Sequence, residues 1–144
     1  MSREVVTVDV NQTAKNAARM MTKYGISGLV VHFEGQIVGI LTERDVLTRV
    51  VASGQDPEKV TVREIMTEPV IVVNPVMPLE KAISIMFQER IKKLPVVEKN
   101  EESVRLVGIV SLTDIARLHP KLLEDIRALV DINELKAEPN FYIR

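Results

Sequence analysis

Residues 38–45 read Val-Gly-Ile-Leu-Thr-Glu-Arg-Asp, and residues 107–114 read Val-Gly-Ile-Val-Ser-Leu-Thr-Asp. Each stretch opens with apolar residues that suit a buried strand, then passes to a hydroxyl residue with an acid three positions later. A hydroxyl followed by an acid at this spacing is typical of the first turn of a helix. The two stretches therefore predict the same strand-to-helix junction twice in one chain.

The sequence around these two stretches is duplicated as well. Residues 5–34 align with the residues 65 positions later, and a four-residue insertion near Asn100 precedes the second stretch. A repeat of this length indicates two copies of one folding unit. We therefore predict an α/β (α+β) fold, an internal duplication of a β-α-β-β-α unit whose halves share one core. Any site should then occur twice, around an approximate two-fold axis.

Each copy contains the same order of local signals. A valine-rich run predicts a strand, and apolar residues at i, i+3, i+4 and i+7 then form one stripe of a helix that Gly25 ends. The pair Glu34-Gly35 predicts a hairpin turn. Helical patterns over 43–52 and 112–118 close the two copies.

The domain boundaries follow from this order of elements. We expect a first repeat over 1–60, a second repeat over 61–119, an amphipathic C-terminal helix over 120–137 and a tail over 138–144.

Composition and charge exclude several classes of protein. The 144 residues include 19 basic and 20 acidic side chains and only five aromatic ones, so a nucleic-acid-binding surface is not expected. There is no cysteine, and the two histidines have no paired spacing, so we expect no metal site. No apolar stretch is long enough to cross a bilayer, and the first residues lack a signal pattern. We therefore expect a cytoplasmic protein with no membrane partner.

The motifs of the repeat resemble those of the cystathionine beta-synthase (CBS) domain. The first copy has Gly-Ile-Ser-Gly-Leu-Val-Val at 25–31 and Gly-Ile-Leu-Thr-Glu-Arg-Asp at 39–45. The second has Ile-Met-Thr at 65–67, Ile-Lys-Lys-Leu-Pro-Val-Val at 91–97 and Gly-Ile-Val-Ser-Leu-Thr-Asp at 108–114. Two copies in tandem are similar to a CBS pair, or Bateman module. The resemblance implies halves packed sheet to sheet, with clefts that bind adenosine-containing ligands such as AMP, ADP, ATP or S-adenosylmethionine.

The resemblance also implies binding roles for Thr42 and Asp45 and, in the second copy, for Ser111 and Asp114. The aspartate would hold the ribose, and the Thr or Ser would lie beside ribose and phosphate. A carboxylate can accept from two hydroxyls at once, which suits a ribose diol. Helix capping by the same residues is the alternative, and the two roles are compatible. We favour binding, because the acid is aspartate in both copies whereas the capping box usually uses glutamate.

Further candidates lie around the two motifs. Ile26 and Ile91 occupy positions where the family sandwiches adenine between aliphatic side chains, although core packing is the better interpretation for the side chains alone. Backbone groups near Gly28 and Lys93 could bind the adenine edge. Thr7 interrupts the first valine run and could line the first cleft, with a solvent-facing edge position as the alternative.

Positive charge is unequal in the two copies. Arg44 lies inside the first motif, where the second copy has Thr113, whereas Arg90, Lys92 and Lys93 of the second copy have uncharged counterparts in the first. Such cations could neutralise phosphates, although most are solvated. We therefore predict that the two clefts differ and that the second tolerates more phosphate charge.

These features predict a non-catalytic sensor that binds an adenosine-containing ligand between its halves and requires no cofactor. The alternative is a structural dimerisation module whose clefts are vestigial. An enzyme is not expected, because the sequence contains no serine–histidine or cysteine–histidine set. Small and apolar residues on the stripe helices predict a homodimer. The sequence does not identify a regulated protein partner.

Overall fold

A computed structural model describes residues 5–122 and 124 of the chain. The elements of the first repeat are β1 (Thr7–Asp9), α1 (Ala14–Tyr24), β2 (Gly28–Phe33), β3 (Gln36–Thr42) and α2 (Glu43–Val46), which continues as a π-helical turn over Leu47–Val51. The second repeat follows with α3 (Val62–Ile65), α4 (Leu79–Glu89), β4 (Lys93–Lys99), β5 (Val104–Ser111) and α5 (Leu112–Leu118). This order confirms the predicted duplicated α/β fold. Most of the predicted helix over 120–137, and the whole tail over 138–144, lie outside the described residues.

The ends of α1 and the hairpin after β2 form as the local sequence predicts. Thr13 begins α1 because its Oγ1 accepts a hydrogen bond from the Asn16 backbone N–H, at 3.1 Å. Gly25 ends the helix in the left-handed region, at φ 62°. The hairpin turn has positive φ at both central residues, 50° at Glu34 and 78° at Gly35, a geometry that matches the twist of the flanking strands.

The two sheets repeat the same strand pairing. In the first repeat β2 lies at the centre, parallel to β1 and antiparallel to β3, and in the second β4 pairs antiparallel with β5. Both hairpins have a register shift at the same place in the duplication, between Val31 and His32 and between Val96 and Val97. The shared irregularity supports a common origin for the two units.

The first strand of the second copy is much shorter than predicted. The valine-rich run over 70–73 pairs with β4 only through Val73, whose N–H donates to Pro95 O at 3.0 Å. The Val73 carbonyl accepts from the Val97 N–H at 2.9 Å. The prediction of a strand over 70–73 is therefore confirmed only as a single bridge.

Buried apolar side chains form two clusters, one against each sheet, and the first also includes side chains from the segment that leads into the second repeat. The first is built around Val10, Ala17, Leu29, Leu41 and Ile65, and the second around Ile83, Met86, Leu94 and Ile115. In the described part of the chain the prediction of one shared core is therefore wrong. Each amphipathic helix already covers one face of its sheet, which leaves only the opposite face for the other half.

The second face of each sheet provides the contact between the halves. Alternate residues of a strand point to opposite faces. Leu29 belongs to the first cluster, whereas its neighbour Val30 is fully buried outside both clusters. Pro95 and Val97 are buried in the same way on β4. These side chains lie where the two sheets pack against each other.

The segment that leads into the second repeat folds against the first. The Val60 carbonyl accepts from the Ala14 N–H at 2.9 Å, at the start of α1. Val62, Ile65 and Met66 are buried in the first cluster. The segment 65–67 thus lies next to the first strand-to-helix junction.

Candidate functional site

A complete capping box closes the first strand-to-helix junction. Thr42 Oγ1 accepts from the Asp45 N–H at 3.3 Å, and Asp45 Oδ2 accepts from the Thr42 N–H at 2.9 Å. The Thr42 hydroxyl lies 3.1 Å from the same oxygen. Our argument that aspartate disfavours a capping box is wrong at this junction, since the short side chain of Asp45 reaches the Thr42 backbone.

The other carboxylate oxygen of Asp45 binds the segment between the repeats. Oδ1 accepts from Thr67 Oγ1 at 3.0 Å and lies 4.0 Å from Arg49 Nε. Only 7% of Asp45 is exposed. A buried carboxylate is stable when it is paired and hydrogen-bonded in this way. Asp45 therefore connects the first motif to the lead-in of the second repeat.

Two further sets of bonds hold that lead-in. Arg49 Nη1 donates to the Ile65 carbonyl at 3.0 Å and to the Met66 carbonyl at 2.7 Å. The backbones of Ile40 and Thr67 exchange hydrogen bonds at 3.1 and 2.8 Å. We name the segment 65–67 with these bonds the latch segment.

The glycine of the first motif is needed for the approach of the latch segment. A Cβ atom at Gly39 would lie 2.8 Å from Met66 Sδ and 2.9 Å from the Thr67 carbonyl oxygen. Sequence reasoning missed Thr67 and Arg49. Arg49 is four residues after Asp45, a spacing that could have indicated the ion pair. Thr67 has no such local signal, because 22 positions separate it from Asp45.

The second junction makes only half of the corresponding contacts. Ser111 is 8% exposed, and its Oγ accepts from the Asp114 N–H at 3.0 Å. Within residues 5–122 and 124, no group donates a hydrogen bond to the Asp114 carboxylate. Among the described residues, the carboxylate oxygens of half-buried Asp114 therefore have no hydrogen-bond donor, whereas both carboxylate oxygens of Asp45 have one.

Lys93 brings a positive charge to the place where the halves meet. Burial lowers the pKa of the Lys93 ammonium below its usual 10.5, while the nearby carboxylates of Asp114 and Glu43 act in the opposite direction. A Cβ atom at Gly28 would lie 3.7 Å from Lys93 Cδ and 3.7 Å from Thr42 Cγ2. The structure thus brings predicted residues of both copies together.

The remaining predicted residues are distributed around this centre. Ile26 and Ile91 pack against the first and second clusters, as the alternative interpretation of their side chains predicts. Arg44, Lys92 and Thr113 are exposed.

Two shallow cavities lie away from both motifs. One, of about 560 Å³, is lined by Ala18, Val50 and Val51 on α1 and the π-helical turn. The other, of about 480 Å³, is lined by Thr7 and His32 on the first sheet. Neither includes the motif residues Thr42, Asp45, Ser111 and Asp114. A candidate site built on the motifs therefore rests on side-chain chemistry and not on either of these two cavities.

Membrane-spanning helices and clusters of metal-ligating side chains are both absent from the described part of the chain. No helix in this part of the chain is long and apolar enough to cross a membrane. The same residues contain no group of three or more histidine, cysteine or acidic side chains arranged to hold a metal ion.

Comparison with known proteins defines the family. The family model of the CBS domain matches residues 1–52 and again residues 62–121, so the chain belongs to the CBS-domain family, as a tandem pair. The CBS domain-containing protein YhcV of Bacillus subtilis is 39% identical over 116 residues, which cover 81% of this chain and 79% of YhcV. An uncharacterized protein of Methanopyrus kandleri is 37% identical over 125 residues, which cover 86% of this chain and 62% of that protein.

The chain is also similar to part of an enzyme and to solved structures. An inosine-5'-monophosphate dehydrogenase of Methanocaldococcus jannaschii is 35% identical over 85% of this chain but only 24% of the enzyme. A conserved CBS domain protein of Thermoplasma acidophilum has a TM-score of 0.77 at 28% identity, covering 92% of this chain and 74% of that one. A hexameric CBS-CP12 protein from bloom-forming cyanobacteria has a TM-score of 0.74 at 34% identity, covering 86% of this chain and 70% of that one.

Proposed function

We propose that this chain is a non-catalytic regulatory module that binds an adenosine-containing ligand between its two repeats. One observation carries the proposal: the Asp114 carboxylate accepts no hydrogen bond from a described residue and lies near the Lys93 ammonium, where the halves meet. A carboxylate that can accept from two hydroxyls, beside a cation, suits a ribose that carries a phosphate.

The charge of Lys93 favours phosphate-bearing ligands. Its ammonium is partly desolvated, so an anion in the cleft would accept a strong charge-assisted hydrogen bond from it. AMP, ADP and ATP supply that anion, whereas the sulfonium of S-adenosylmethionine adds positive charge. We therefore rank the nucleotides above S-adenosylmethionine, with the backbone at Gly28 and the flanks of Ile26 and Ile91 as the adenine contacts.

A regulatory role agrees with the family comparisons. The chain aligns with about a quarter of an inosine-5'-monophosphate dehydrogenase, and its other relatives include a protein named for its CBS domains. A bound ligand would act by stabilising one arrangement of the halves over another, which requires unequal affinity for the two states. A cytoplasmic location stays a prediction.

Association with a second copy is part of this proposal. Leu47 and Val51 are 60% and 67% exposed beside the apolar cavity of α1 and the π-helical turn. Exposed apolar patches of this kind mark contact surfaces. The hexameric assembly of the CBS-CP12 neighbour shows that related chains associate. We expect a homodimer by light scattering at micromolar concentration, and Val51→Glu should weaken it. An unaltered chain that is monomeric would contradict this expectation.

Calorimetric titration of the full chain with AMP, ATP and S-adenosylmethionine tests the ligand proposal. Asp114→Ala should weaken nucleotide binding at least tenfold, since a hydrogen bond to a charged group is worth about 1.5–3 kcal/mol. Its melting temperature should change little, because Ser111 still caps α5. Lys93→Met should also weaken AMP binding, whereas the exposed neighbour Lys92→Met provides a matched control. No binding of any of the three ligands would favour the structural dimerisation alternative.

A further inference from the structure

We infer that Lys93 places a phosphate-binding charge on the axis that relates the two repeats, so that a lysine from either repeat would supply it. The inference rests on the proposed function for its ligand. It goes beyond that function because it assigns the charge to the contact between the halves and not to one of the two motifs.

Lys93 and Gly28 are equivalent positions of the duplication, and they meet in the structure. Gly28 aligns with Lys93 under the shift of 65 positions. A Cβ atom at Gly28 would lie 3.7 Å from Lys93 Cδ, so the stem of the lysine packs on the glycine of the other repeat. Equivalent positions of a two-fold arrangement touch each other only beside the axis, because elsewhere the rotation carries them apart. The contact therefore marks the axis between the repeats.

The strand pairing places this contact between the two motifs. Gly28 pairs with Thr42 across the first hairpin. Lys93 pairs with Ser111 across the second hairpin. Lys93 thus belongs to the second motif by its backbone, whereas the stem of its side chain lies over the strand partner of Thr42. The side chain of one lysine therefore extends from one motif towards the other.

The charges that act on the ammonium come from both repeats. Burial lowers the pKa of Lys93, and the carboxylates of Asp114 and Glu43 act in the opposite direction. Asp114 belongs to the second motif, and Glu43 follows Thr42 in the first. An ammonium that feels carboxylates of both junctions would also attract a phosphate bound at either of them.

The backbone at Gly28 permits the lysine to be moved to the first repeat. The φ of Gly28 lies outside the left-handed region, so a residue with a side chain fits its conformation. The nearest contact of a Cβ atom there is 3.4 Å, to the Leu41 carbonyl oxygen. Removal of the Lys93 stem would leave room beyond that Cβ atom for a side chain of the same length. The two positions can therefore be exchanged experimentally.

The exchange Gly28→Lys/Lys93→Gly tests the inference by calorimetry. The quantity compared is the affinity for AMP relative to adenosine, which lacks the phosphate. In Lys93→Gly this ratio should fall about tenfold, the effect of losing one hydrogen bond to a charged group. In Gly28→Lys/Lys93→Gly it should return to within about threefold of the unaltered chain. Gly28→Met/Lys93→Gly is the matched control, because it fills the same space without a charge, and its ratio should stay low.

Each other result of these titrations contradicts a different part of the inference. No recovery with lysine at position 28 would mean that the charge acts only from the second repeat. Recovery with methionine as well would mean that filled space, and not charge, is responsible. Equal affinity of the unaltered chain for AMP and adenosine would remove the phosphate role alone. Binding of neither ligand would overturn the proposed function, and the phosphate role of Lys93 with it.

A measurement without ligand tests the position of the charge by itself. With Lys93 kept, Gly28→Lys would bring two ammonium groups together at the axis, whereas Gly28→Met adds a side chain of similar length and no charge. The melting temperature of Gly28→Lys should be the lower of the two at low salt, and the gap should narrow at high salt. Equal melting temperatures at low salt would overturn the placement of the Lys93 charge on the axis.

Discussion

The two strand-to-helix motifs are nearly the same in sequence and differ in what covers them. Asp45 is 7% exposed and bonds to Thr42 and Thr67, whereas Asp114 is half-buried and accepts no hydrogen bond from a described residue. Part of the difference comes from the latch segment, whose Thr67 hydroxyl donates to Asp45. The duplicated motif therefore keeps its hydroxyl cap in both copies, while the acids differ in the hydrogen bonds that they accept from the described residues.

The largest effect that separates the motifs should come from removing each acid in turn. Asp45→Ala removes acceptors from Thr42 and Thr67 and leaves Arg49 without its counter-charge, so we expect a loss of about 3 kcal/mol in unfolding free energy. Asp114→Ala leaves the Ser111 cap in place and should cost about 1 kcal/mol or less. Urea unfolding of both variants measures the difference. Equal losses would contradict the structural role assigned to Asp45.

The fit of the latch segment can be tested next at two glycines. Gly39→Ala would place a Cβ atom within 2.9 Å of both Met66 Sδ and the Thr67 carbonyl, and overpacking of this kind costs about 1–3 kcal/mol. Gly28→Ala is the control, since its nearest contact is 3.4 Å, an ordinary distance. We expect the melting temperature to fall clearly more in Gly39→Ala. A larger fall in Gly28→Ala would mean that the cleft is packed more tightly than the latch segment.

The charge at the second motif predicts a pH effect. Burial lowers the pKa of Lys93 in the folded chain, so the unfolded chain binds more protons just below pH 10.5. The stability that Lys93 contributes should therefore rise with pH through this alkaline window. Unfolding of Lys93→Met and of the unaltered chain at several pH values measures the difference, with Lys92→Met as control. A difference that does not change with pH would place the Lys93 ammonium in water.

The smallest effect is expected at Arg44. Its side chain is exposed and lies on the motif that the latch segment covers. Arg44→Gln should change the unfolding free energy by less than about 0.5 kcal/mol and AMP affinity by less than about twofold. Calorimetry on this variant sharpens the comparison, because a tenfold loss of affinity would place the phosphate at the first motif.

The sequence predicted much of the fold because its signals are local. Helix α5 covers 112–118 as predicted, and Gly25 and the Glu34-Gly35 turn have the expected positive φ. The second-copy strand over 70–73 was predicted less well. Valine content indicates that a run can form a strand, but pairing depends on whether a partner edge is available, and only Val73 finds one.

The sequence predicted the residues of the candidate site but not the contacts that they make. The pattern named Thr42, Asp45, Ser111 and Asp114, and the structure places all four at strand-to-helix junctions. It did not predict Thr67, which lies 22 positions from Asp45, or the two separate cores.

The sequence by itself determined the duplication, the order of elements and the two acid-bearing junctions, because hydrophobic period and capping spacing act over a few residues. Tertiary structure alone decided that Thr67 bonds to Asp45 and that the Lys93 side chain lies beside Gly28. These contacts join distant parts of the chain, and a local pattern carries no information about which segment will lie over it. Among the described residues, the contacts of the two acids therefore differ through packing that the motif pattern does not predict.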